Sequence, residues 1–144
     1  MTEPLSRARR CELLAVAEPD ELRSLADACL ADGVEVRILV APEVGVVSAQ
    51  VREPVAQERF LLGDVLACRA EVELAGHRGW AMRLGDDRAA VLAAALLDAE
   101  VQAGRSHATD VDRLCHIVAV RQAEREAREW AELAPTIVEF EELA

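Results

Sequence analysis

With 144 residues, 52% hydrophobic and 30% charged, the sequence fits one compact domain and excludes an intrinsically disordered chain. A net charge of -11 repels phosphate backbones and excludes nucleic acid as a bulk partner. No apolar run reaches membrane-spanning length, because the Ala-rich stretch around Val91 is bounded by Asp87 and Asp98.

Residues 1–10 lack the apolar centre of a signal peptide. Cys11, Cys29, Cys68 and Cys115 are widely spread and none forms a CxxC pair, so reduced thiols in a cytoplasmic protein are expected. All 16 basic residues are Arg, whose guanidinium forks match carboxylate and phosphate oxygens.

Ser6 suits the N-cap of a first helix through Cys11, Leu13, Leu14 and Val16. Pro19 fits the first position of a second helix, followed by Asp20 and Glu21 where the helix dipole favours negative charge. Leu22, Leu25, Ala26, Cys29 and Leu30 form one apolar stripe, and Gly33 stops the helix. The two helices suggest an antiparallel hairpin.

The period then becomes that of strands. Residues 34–40 alternate, Pro42 and Glu43 suggest a turn, and residues 44–52 read as a second strand ended by Pro54. A third strand covers residues 58–62, with Gly63 and Asp64 marking a bulge or bend. A fourth places Cys68, Ala70, Val72 and Leu74 on one face and Arg69, Glu71 and Glu73 on the other. After a turn over residues 75–79, residues 80–84 return as a fifth, with Trp80 expected in the core. Short turns imply an antiparallel meander.

Asp86 or Asp87 should cap a helix over residues 89–102 that Gly104 ends, and Asp110 should cap a last helix through Val111, Leu114, Cys115 and Val118. Its later part carries Glu124 with Arg128 and Arg125 with Glu129 at i, i+4 spacing, and Pro135 ends it. Thr136, Val138 and Phe140 alternate with Ile137, Glu139 and Glu141, suggesting a short final strand. The fold class is therefore α+β: one domain over residues 1–144, an antiparallel β-meander packed with N-terminal and C-terminal helices.

Chemistry-bearing motifs are sparse. Cys115 and His116 are adjacent, but neighbours on a helix point about 100° apart, and Cys115 fits the apolar stripe. His77 falls in a turn and His107 in a loop, and there is no HxxxH, HExxH, phosphate-binding glycine loop or GxSxG elbow. No catalytic, metal-binding or cofactor-binding residue is assigned. Arg59, Arg69, Arg83 and Arg88 lie on the sheet or where it meets the next helix. Arg69 can pair with Glu71 or Glu58 on an exposed face, or meet a partner, since Arg is favoured in interfaces. Trp130, near the end of the charged helix, suits a partner anchor. The candidate interface or anion-contacting set is Glu58, Arg59, Arg69, Asp87, Arg88 and Trp130.

Taken in order, Glu43-Val44-Gly45, Glu58-Arg59-Phe60, Gly63-Asp64, Arg69-Ala70-Glu71-Val72, Gly79-Trp80, Gly85-Asp86-Asp87, Ala95-Leu96-Leu97-Asp98-Ala99, Arg121-Gln122-Ala123-Glu124 and Val138-Glu139-Phe140 resemble the G subunit family (PhnG) of the bacterial carbon–phosphorus lyase core complex. The resemblance spans essentially the whole chain. One departure is Asp86, which stands where the family usually carries Arg, removing any anion contact made by that Arg.

The resemblance implies a non-autonomous subunit for organic phosphonate catabolism that holds no cofactor of its own. Its expected partners are the H, I and J subunits, with a homodimer of the isolated chain left open. The implied reaction forms α-D-ribose 1-methylphosphonate 5-triphosphate from ATP and methylphosphonate, releasing adenine. The alternatives are a stand-alone small-molecule enzyme and an acidic interaction module unrelated to phosphonates.

Overall fold

The computed structural model describes residues 4–138. Its elements in chain order are α1 (Arg7–Val16), α2 (Pro19–Leu30), β1 (Val36–Arg52), β2 (Arg59–Leu74), β3 (His77–Leu84), α3 (Arg88–Gln102) and α4 (Ala108–Leu133), then a 3-10 turn (Ala134–Thr136). The sheet order is β1-β2-β3, with both pairings antiparallel. The α+β meander with flanking helices is the architecture expected.

Five short strands are replaced by three, two of them long. Pro42 and Glu43 do not turn the chain. They sit inside β1, where the register slips between Val40 and Glu43, because a bulge removes proline's need to donate to the ladder. Residues 58–62 and 68–74 likewise join into β2, with Leu62 as the extra residue opposite Ala49 and Gln50. The β2–β3 turn is only Ala75-Gly76, since Leu74 pairs with His77. Both turn residues have positive φ, 48° and 78°, as a two-residue type I′ hairpin requires.

α3 is the centre of the molecule. From Ala90 to Glu100 all but Leu92 are buried, because α3 packs on β2 and β3 and is flanked by the other helices. Its alanines let the sheet come close. A Cβ on Gly79 would overlap the Ala95 carbonyl oxygen and the Ala99 amide nitrogen, and lie 2.7 Å from Ala99 Cβ, so only glycine fits there. Cys68, Ala70, Val72 and Leu74 face this helix and are buried, as their alternation indicates.

α1 and α2 are not an antiparallel pair. α2 packs on α3, while α1 lies against β3, α3 and α4. The cap of α4 is His107; Asp110 lies in the first turn, its carboxylate 3.0 Å from His107 Nδ1. Neither i, i+4 pair of α4 closes into an ion pair among the described residues. Thr136 belongs to the 3-10 turn and residues 137–138 form no strand; Glu139, Phe140 and Glu141 lie outside the described residues.

Candidate functional site

Two buried carboxylates on α3 organise the interior, and both escaped the sequence reading. Asp98 is fully buried. Its Oδ2 accepts from Arg7 at 2.8 Å and from the Trp80 backbone N–H at 3.0 Å, and its Oδ1 accepts from Arg10 at 3.3 Å. Arg7 also donates to the Arg78 carbonyl oxygen. The free edge of β3 is thus closed by a side-chain pair, which protects it from pairing with another chain. Glu100, also fully buried, accepts from Arg105 Nε at 2.9 Å and from the His107 backbone N–H at 3.1 Å. A charge inside an Ala/Leu run was the available signal, because such a charge survives burial only when paired.

Arg83 turns inward from β3 and donates to the carbonyl oxygens of Leu14 at 2.6 Å and Ala17 at 2.8 Å. It satisfies carbonyls at the end of α1, and burial pulls its pKa down. Asp87 is the N-cap of α3, accepting from Ala90 N at 2.9 Å, with Arg23 at 3.4 Å. Arg88, the first residue of α3, is exposed.

The remaining candidates do not converge. Arg69 pairs with Glu43 across the β1–β2 ladder rather than with Glu71 or Glu58: Glu43 is its register partner, whereas Glu71 lies further along the same strand. Arg59 opens β2 and Glu58 lies in the loop just before it, about 30 Å of extended chain from Arg69. Trp130 is 63% exposed near the end of α4. Trp80 is 37% exposed instead of buried, because Gly79 and Ala81 take the inward positions and Trp80 must face outward. There it borders an apolar groove with Ala8, Cys11, Ala15 and Met82.

The thiols give no sign of a nucleophile. Cys115 is fully buried, and burial pushes its pKa up to about 12. Cys29 is likewise raised to about 12, again by burial first. A reactive thiol needs the opposite shift. Among the described residues no three His, Cys, Asp or Glu side chains gather as a metal site.

The polar interior therefore serves the fold, while unpaired apolar surface collects on the β1–β2 hairpin and the outer half of α4. These features define a helix-backed β-meander domain whose two buried α3 carboxylates are paired within the fold. The chain belongs to the family of phosphonate metabolism protein PhnG, whose model matches residues 5–144. No curated protein matches it significantly. Membership assigns the chain to phosphonate metabolism.

Proposed function

We propose that this chain is a non-autonomous subunit of the carbon–phosphorus lyase core complex, acting with the H, I and J subunits. The assembly joins methylphosphonate to ATP: a phosphonate oxygen bonds to ribose C1′, the C1′–N9 bond breaks, and adenine leaves. The family match over residues 5–144 carries this reading. The internal pairing of Asp98, Glu100, Arg83 and Asp87 supports a structural rather than a chemical role. We take the chain to hold no cofactor and to act in the cytoplasm, where ATP is available. No helix among the described residues is long and apolar enough to cross a membrane.

The test is adenine release from ATP and methylphosphonate, measured with the H, I and J subunits, with and without this chain. Release only when it is present supports the reading. Equal release without it, or turnover by this chain alone, overturns it.

A further inference from the structure

The helical layer ends near Val44 and Cys68, the last directly opposed pair on its side of the sheet that packs in the core. β3 also ends there, its last partner on β2 being Ala67. Beyond this line β1 and β2 continue alone as a two-stranded arm to Arg52 and Arg59, about 25 Å long. An isolated ribbon is marginal in water, yet this one is apolar on one face and carries exposed apolar side chains on the other. The mixed side carries Val46, Leu66 and Leu61, exposed by 67%, 47% and 60%, around a Ser48–Asp64 hydrogen bond and Gln50. Register and alternation put Val47, Val65, Val51 and Phe60 on the other.

At the tip Arg52 and Arg59 are directly opposed, a like-charge arrangement that destabilises a bare ribbon. Neither has an ion-pair partner among the described residues. The nearby carboxylate of Glu53 already accepts from the Val55 and Glu58 amides of its own loop. Glu53 and Glu58 flank the two arginines in sequence, so the tip carries no net charge; what it presents at the end of the arm is two guanidiniums that no ion pair among the described residues uses.

We propose that the arm is the docking element of the subunit. It lies in an apolar cleft of a partner protein, with Arg52 and Arg59 meeting carboxylates at the cleft's end. This rests on the subunit reading above. A second copy is the less suitable occupant, because two chains of net charge -11 repel, whereas a partner offering local carboxylates matches the tip's free guanidiniums.

The test is quantitative co-purification of the full-length tagged chain with co-expressed H, I and J subunits. Wild type is compared with Leu61→Asp/Leu66→Asp and with Arg52→Glu/Arg59→Glu, and circular dichroism checks each isolated variant. At least tenfold loss of partner in both variants with helix content retained, and milder loss for Arg52→Gln/Arg59→Gln, supports the proposal. Wild-type recovery by all variants overturns it and leaves the subunit reading intact. No partner with wild type overturns the subunit reading and the docking proposal with it. An isolated-chain dimer that the arm variants dissociate assigns the arm to self-association and also overturns the proposal.

Discussion

Gly79 lies directly beneath Ala99 of α3, so close that a side chain on Gly79 would strike the Ala99 backbone and approach its Cβ to 2.7 Å. The same contact brings the Trp80 N–H within 3.0 Å of Asp98. The helix–sheet distance and the closure of the β3 edge are therefore one feature. Gly79→Ala should destabilise the chain by about 3 kcal/mol or more, since the clash is with backbone rather than a flexible side-chain end. Urea unfolding of the isolated chain measures this; a loss below about 1 kcal/mol would show that α3 can lift away cheaply.

Asp98→Ala strips Arg10, Arg7 and the Trp80 amide of their shared acceptor. Removing one side of a buried pair typically costs about 3–5 kcal/mol. Arg7 is half-exposed and can turn to water, so most of the cost falls on Arg10, which is only 4% exposed, and on the β3 edge. Hydrogen exchange should show the Trp80 amide losing protection more than amides in the middle of β2.

Thiol alkylation followed by mass spectrometry should rank the cysteines by burial. Cys11 is the only one not fully inside and should react first under native conditions. Cys29, Cys68 and Cys115 should stay protected until the chain unfolds. Fast native labelling of Cys115 would revive a nucleophilic role and contradict the packing described above.

Ala75 occupies a left-handed conformation at φ 48° that Asn tolerates better. Ala75→Asn should stabilise the β2–β3 hairpin by about 0.5–1 kcal/mol, given the preference of type I′ turns for Asn-Gly. A matching rise in the thermal midpoint is the expected result.

Acid should weaken the fold through Asp32, Glu53 and Asp110. Asp32 is held below its ordinary value chiefly by the Val34 amide and then by Arg105. Glu53 is held down by the Val55 amide, and Asp110 by His107 and then Arg113. A carboxylate with a lowered folded pKa contributes fully above its unfolded value, here 3.8 for Asp and 4.5 for Glu. The contribution is lost as pH falls through the folded value. Thermal midpoints should be flat above about pH 6 and fall below about pH 4, with a shallower fall in Asp32→Asn.

Local rules reached some elements and not others. Ser6, Pro19 and Asp87 mark helix starts by satisfying orphan amides or lacking one. The alternation of Cys68 to Leu74 gives the buried face directly. Pro42 misleads because a bulge accommodates it, and a bulge depends on the neighbouring strand rather than on local sequence. Trp80 misleads because size suggests the core, whereas Gly79 and the approach of α3 decide which way it faces. The arginine contacts of Asp98 and the carbonyl contacts of Arg83 are tertiary, joining residues 66 to 91 positions apart, beyond any local pattern. The candidate site was legible only as single residues: Arg59 and Arg69 share a strand but stand far apart, and Asp87 is occupied as a cap.

The most direct test of the central claim is the mass of what the tagged chain brings down when co-expressed with the H, I and J subunits. One stable assembly containing this chain together with those partners, surviving size exclusion, is the expected result. A chain that elutes alone, monodisperse and at 15.7 kDa with all three partners present would contradict it.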